Sequence, residues 1–175
     1  EFFASWLTSL SFTFQIYFDF SGYVDMATGI ALLFNIRLPV NFNSPYKATS
    51  IINFWQKWHI TLANFLTNYI YFPWVKSLRK VNFLKIMAII FFVFLIAGIW
   101  HGPSWLYVVF GALHGFGLIV NHVYRKLFDY RFNKYIACFF TFNYINLTFV
   151  FFRSNNLDNA LNIINGMLGL NGFEL

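Results

Sequence analysis

The chain has 175 residues, of which 59% are hydrophobic, 24% aromatic and only 10% charged. A soluble globular domain carries about 45–50% apolar and about 25% charged residues, so an ordinary water-exposed fold is excluded and an integral membrane protein is expected. The formal charge of +6 does not imply nucleic acid: no stripe of cations interleaved with stacking aromatics is present in a polar setting.

Residues 2–18 are apolar and uncharged and read as a span or the end of one. Residues 19–35 keep helix formers but include Asp19, Ser21, Gly22 and Asp25, which predicts a short helix packed within protein. Acids at membrane depth must pair, hydrogen-bond or become protonated, and Arg37 and Lys57 are the available partners. Residues 38–47, with Pro39, Pro45 and several Asn, have loop chemistry. Over residues 53–72 the polar Lys57, Thr61, Asn64 and Asn68 oppose a stripe of Trp55, Trp58, Leu62, Leu66 and Tyr69. That predicts one amphipathic helix at an interface or lining a polar cavity, stopped by Pro73.

Residues 86–124 contain no Asp, Glu, Lys or Arg. One span needs about 20 such residues, so two segments, 86–100 and 105–124, are expected on either side of His101-Gly102-Pro103-Ser104. Lys76, Arg79, Lys80 and Lys85 precede this block, and Arg125, Lys126, Arg131 and Lys134 follow it. This is the positive-inside pattern, which, where the break is a turn, places both outer ends on one side, the cytoplasmic one, with the break near the far face or partway down a cavity. Residues 135–152 predict a further span, and 157–168 a terminal helix after the capping residues Ser154 and Asn155. The expected fold class is therefore all-α: a polytopic transmembrane helix bundle with short amphipathic or re-entrant helices.

The first residue is Glu and no signal peptide is recognisable. The chain is expected to be one membrane-embedded domain, 1–175, forming the C-terminal part of a longer protein. Its single cysteine, Cys138, excludes an internal disulfide and reads as lipid-buried packing.

His101 is the first candidate for chemistry. An imidazole in so apolar a setting is expensive unless its position has a use; a neutral one suits general base catalysis, and Gly102 leaves room for close approach. A packed histidine bonding a helix carbonyl is the alternative. His59, in Trp55-Gln56-Lys57-Trp58-His59, reads by itself as an interfacial histidine. His114 and His122 are eight apart and read as structural, because no His-Glu-x-x-His or nearby acid accompanies them. Ser21 and Ser104 lack the Gly-x-Ser-x-Gly context of a serine nucleophile.

Several ordered motifs together add what spacing cannot. Phe14-Gln15-Ile16-Tyr17-Phe18-Asp19-Phe20-Ser21-Gly22-Tyr23-Val24-Asp25, Asn41-Phe42-Asn43-Ser44-Pro45-Tyr46, Phe54-Trp55-Gln56-Lys57-Trp58-His59, Tyr69-Ile70-Tyr71-Phe72-Pro73, Gly98-Ile99-Trp100-His101-Gly102-Pro103, Gly111-Ala112-Leu113-His114-Gly115 and Phe151-Phe152-Arg153-Ser154 resemble the membrane-bound O-acyltransferase family, in its alginate O-acetylation branch. The resemblance implies a multi-helix enzyme of a bacterial inner membrane that moves an acyl group, acetyl above all, onto a hydroxyl. It carries an essential role onto His101 and a second sensitive position onto His59. Trp100, Trp105, Trp58 and Lys57 become expected substrate contacts, although Gln56-Lys57 stands where relatives often have two arginines. No bound cofactor or metal is expected. The implied donor is an acyl thioester, acetyl-CoA or an acyl carrier. The implied partners are the bilayer, a periplasmic or extracellular acetyltransferase and a polysaccharide acceptor, with D-alanylation of teichoic acid as the near alternative. A transport or purely structural membrane subunit is the alternative from another class.

Overall fold

A computed structural model describes residues 1–128 and 132–173. Among them there are helices and turns and no strands. In chain order these are α1 (Phe2–Leu33), a 3₁₀ turn (Pro45–Lys47), α2 (Ile51–Trp55), α3 (Ile60–Phe65), a π-helical turn (Leu66–Tyr71), α4 (Phe72–Lys76), α5 (Phe83–Trp100), α6 (Trp105–Leu127), α7 (Lys134–Arg153) and α8 (Leu157–Met167).

Three helices, α5, α6 and α7, are long and apolar enough to cross a membrane. Their ends fall within three residues of the sequence expectation, because the charge-free run and its flanks define them. Asn82 starts α5 by accepting the Lys85 amide proton at 2.9 Å, and Ser104 starts α6 by accepting that of Leu106 at 3.3 Å. Between them α5 and α6 form a tight hairpin. A Cβ on Gly98 would lie 2.3 Å from the Tyr107 carbonyl oxygen, and one on Gly111 2.3 Å from that of Phe94. The helices therefore touch backbone to backbone, as small residues permit inside membranes. At the open end, the Lys126 ammonium sits 4.1 Å from the centre of the Phe83 ring, which brings both outer ends of the hairpin to one side. The basic residues there are exposed; Arg131 lies outside the described residues.

Several expectations fail. Residues 2–18 and 19–35 form no pair of segments, since α1 runs unbroken for 32 residues. It contains no proline, and a single glycine inside a helix costs only about 1 kcal/mol relative to alanine. Asp19 and Asp25 are exposed on it rather than buried and paired. Residues 53–72 are not one helix either: α2 ends at Trp55, His59 adopts φ 44° and ψ 53° in the left-handed region, and α3 starts after it. Nor does Pro73 stop the chain, because it occupies the first turn of α4. Proline lacks an N–H and clashes with the carbonyl four residues back; the widened π turn just upstream accommodates both.

The core joins the short helices to the spans. Phe54, Trp55, Trp58, Phe110, Ile145 and Phe149 are buried together. His114, on α6, is fully buried among them. Its Nδ1 accepts from the Trp55 indole N–H at 3.2 Å, and Nε2 lies 3.1 Å from the Thr148 hydroxyl. That hydroxyl already donates to the Ile145 carbonyl, so Nε2 carries the ring proton and both nitrogens are satisfied. The structural reading of His114 fits this network.

α1 is tied to α7 through Asn146, whose amide accepts from Thr13 at 2.7 Å and donates to Ser9 at 3.1 Å. It is tied to α8 by the Trp6 indole donating to the Met167 carbonyl at 3.0 Å. Asn156, not Ser154 or Asn155, caps α8. The 38–47 segment is well anchored: the Tyr46 hydroxyl donates to the Thr13 carbonyl, and its ring stacks on Trp58. Burial pushes the Tyr46 phenol well above its ordinary pKa, with Tyr17 adding to the shift. Cys138 is half-buried, with its thiol toward the Tyr46 carbonyl at 3.4 Å, and so packs against protein.

Candidate active site

His101 closes α5 with helical dihedrals of −68° and −22°. The next residue, Gly102, has φ +152°, a conformation that L side chains rarely adopt. A Cβ there would also meet the Tyr107 ring at 2.9 Å. The turn therefore needs this glycine, and it folds the start of α6 back so that α6 side chains meet the histidine ring.

Four aromatic rings surround the His101 imidazole, with centroids at 5.1 Å for Trp100, 6.1 Å for Tyr107, 5.9 Å for Phe110 and 5.1 Å for Phe152. Phe110 and Phe152 present their edges or faces nearly at right angles to it. The ring is half-buried, and burial lowers its pKa below the ordinary 6.5. A neutral imidazole is thus favoured at neutral pH.

His59 occupies the left-handed turn between α2 and α3. Its ring meets the Phe20 ring of α1 at 4.8 Å and 85°. Its Nδ1 lies 3.4 Å from the Asn41 amide oxygen. With Asn41, Thr61, Phe20 and Tyr23 it lines a cavity of about 300 Å³. Burial lowers the His59 pKa to about 4, and the charge of His101 contributes to that shift. The two histidines thus share one electrostatic neighbourhood. An aromatic path also runs between the segments, from Trp58 to Phe149 at 5.5 Å, Phe149 to Phe152 at 6.4 Å and Phe152 to His101.

The other expected contacts are distributed differently. Trp58 is buried between Phe54 and Tyr46, so in this chain it holds the turn that carries His59. Lys57 is half-buried, and its carbonyl accepts the Asn43 amide proton at 3.0 Å. Trp100 touches His101 but is 64% exposed, and Trp105 is 84% exposed. Tyr107, Phe110 and Phe152, not Trp105, form the surroundings of His101. Helical spacing would have pointed to Tyr107 and Phe110, three apart on the α6 face that meets α5.

A larger cavity of about 1140 Å³ lies between α6, α7 and residues 49–51, with Phe116, Val120 and Phe140 along it and Arg125 and Lys134 among its lining residues. Neither cavity is lined by His101.

The membrane-bound O-acyltransferase family profile matches residues 1–157. The chain belongs to that family. It is 50% identical over its whole length to the peptidoglycan O-acetyltransferase of Helicobacter pylori, covering 33% of that protein. It is 35% identical over 98% of its length to the Azotobacter vinelandii protein named "Probable alginate O-acetylase AlgI", covering 34% of it. Similarity extends to the teichoic acid D-alanyltransferase of Streptococcus thermophilus, at 27% identity over 79% of this chain and 39% of that protein. The chain thus spans about a third of the length of the first two of these curated relatives.

Proposed function

We propose that the protein containing this chain is a membrane O-acyltransferase that moves an acetyl group from a thioester donor onto a sugar hydroxyl of a bacterial envelope glycan. The observation that carries the reading is the placement of His101, whose imidazole sits among four aromatic rings at the turn between two helices long and apolar enough to cross a membrane, in a chain whose family profile matches residues 1–157. Half the residues of this chain are shared with a peptidoglycan O-acetyltransferase, against 35% with an alginate O-acetylase relative, which favours a cell-wall glycan over alginate as acceptor.

In this mechanism neutral His101 accepts the proton of the acceptor hydroxyl as its oxygen attacks the thioester carbonyl carbon. The tetrahedral adduct collapses, the C–S bond breaks, and the imidazolium returns the proton to the departing thiolate. A positioned base of this kind contributes about 10²–10⁴-fold. The four rings around the half-buried His101 give it an apolar setting that favours the neutral imidazole between turnovers. The donor enters from the side of the basic flanks, and the acceptor meets the hairpin turn on the opposite, periplasmic side of the inner membrane. His59, at the second cavity, holds the acyl donor's path.

The test is ester analysis of envelope glycans from a strain lacking the full-length gene, with and without its restoration. Loss and recovery of O-acetyl esters supports the reading. Loss of D-alanyl esters instead assigns the protein to teichoic acid chemistry, and unchanged esters of both kinds refute acyl transfer to the envelope.

A further inference from the structure

His59 is held in an unusual way. A non-glycine residue at φ 44° sits in a sparsely populated region that persists only where surrounding structure imposes it. It is also the residue preceding α3, and its own side chain does not cap that helix. The usual solution is a serine, threonine, aspartate or asparagine at that very position. Here the cap comes from 20 residues upstream: the Asn41 amide oxygen accepts the Thr61 backbone N–H at 3.1 Å and the Thr61 hydroxyl at 2.7 Å. The Asn41 carbonyl accepts the Ile60 N–H at 3.0 Å. With capping delegated to Asn41, position 59 is released to carry an imidazole on a bent backbone at the edge of a cavity.

The same oxygen lies 3.4 Å from His59 Nδ1. The Thr61 N–H can only donate, so the amide of Asn41 presents its oxygen, not its NH₂, to this cluster. An amide oxygen can only accept, so the contact requires the proton on Nδ1. The lone pair then resides on Nε2, which makes no hydrogen bond among the described residues.

We propose that Asn41 is a positioning residue for His59, fixing both the turn that presents the ring and the tautomer that leaves Nε2 as its basic, hydrogen-bond-accepting atom. This rests on the acyl-transfer reading, where an accepting nitrogen at the cavity orients a donor group bearing an N–H or O–H. The groups that face or flank His59 are few. From α1 come the Tyr23 phenol at the cavity and the exposed Asp19 and Asp25. Lys57 lies in the preceding turn, and His101 is the neighbouring titratable ring.

The experiment uses the full-length protein in proteoliposomes, with Asn41→Asp and Asn41→Ala compared with wild type. Two readouts are taken: the pH dependence of acyl transfer, and the ¹⁵N spectrum of histidine-labelled protein, which distinguishes the tautomers. Asn41→Asp keeps the three accepted bonds and the helix cap, but its carboxylate stabilises the imidazolium. The acid limb tied to His59 therefore moves upward by about 1–3 pH units, with Nδ1–H retained. Asn41→Ala releases the ring, and its spectrum becomes a mixture of tautomers. Its kcat falls about 10–100-fold, the range seen when partners that orient a metal-bound imidazole are removed. An Asn41→Asp profile superimposed on wild type, or an Nε2–H ring in the wild-type spectrum, overturns the proposal and leaves Asn41 as a helix cap only. If the wild-type protein transfers no acyl group, the functional reading fails, while the tautomer in the wild-type spectrum still decides the role of Asn41.

Discussion

Replacing Gly102 by alanine tests the hairpin turn and the chemistry together. The residue sits at φ +152°, where an alanine pays about 1–3 kcal/mol of backbone strain. Its new methyl would also lie 2.9 Å from Cε2 of Tyr107, closer than carbon atoms pack, so the Tyr107 ring must move. That ring borders both His101 and Phe152, and its movement opens the wall around the imidazole. If the strain is relieved by shifting His101 off its working position, a cost of about 1–3 kcal/mol in the transition state corresponds to a loss of about 5–150-fold in rate. Gly22→Ala is the matched control. The same methyl is added inside α1, where nothing lies within 4 Å, and replacing a helical glycine is stabilising by up to about 1 kcal/mol. The assay is acyl transfer by the full-length protein in membranes, normalised to inserted protein, alongside thermal denaturation in detergent. If Gly102→Ala transfers acyl groups as fast as Gly22→Ala and melts no lower, then the turn does not constrain His101 and the reasoning is refuted.

Three further outcomes follow from the geometry. Gly98→Leu or Gly111→Leu cannot be accommodated at a helix crossing where even a Cβ would fall 2.3 Å from a carbonyl oxygen, so each should leave the hairpin inserted but strongly lower its melting temperature; an unchanged melt would contradict the backbone-to-backbone contact. Asn146→Leu removes the acceptor of the buried Thr13 hydroxyl and the donor to Ser9 between α1 and α7, and a buried hydroxyl left without its partner costs about 1–3 kcal/mol, so denaturation should come earlier than in wild type, while Asn143→Leu on the same helix serves as the comparison. Acidification should destabilise the fold. The His59 pKa is depressed to about 4 from an ordinary 6.5, so between those values the unfolded chain binds more protons than the native one, and stability falls as pH drops through that window. A melting temperature that stays flat from pH 6.5 to 4, or an equally steep fall in His59→Gln, would show that this ring is not the source.

What could be read from the sequence follows from which physical signals are local. The spans α5, α6 and α7 were legible because a charge-free run bounded by cations has few other solutions. α1 was wrongly divided because Asp19, Ser21 and Gly22 look like an interruption. In a helix without proline, however, a few polar side chains do not interrupt the backbone ladder, and here Asp19 and Asp25 are exposed on it. The kink at His59 left no trace in the pattern of residues 53–72: the amphipathic spacing continues through it, and the residue that enforces it, Asn41, lies far upstream in what reads as loop. The π turn before Pro73 was hidden for a related reason, since backbone widening changes no residue type.

The site was legible in part. His101 stood out because an ionisable ring in so apolar a block is costly, and Gly102 beside it marked the turn. Trp105, an expected substrate contact, is 84% exposed and is not among the rings around His101. The hairpin instead rotates Tyr107 and Phe110 inward and brings Phe152 from α7. Trp58, an expected substrate contact, has its indole buried against Phe54, where it supports the turn that carries His59.

The most direct measurement is acetyl transfer by full-length protein carrying His101→Gln, an isosteric change that keeps a polar side chain inside the ring of aromatics while removing the titratable base. Membrane insertion and amount should match wild type, and glycan acetyl esters should fall by about 10²-fold or more. Wild-type levels of ester formed by that variant would contradict the assignment of His101 as the base.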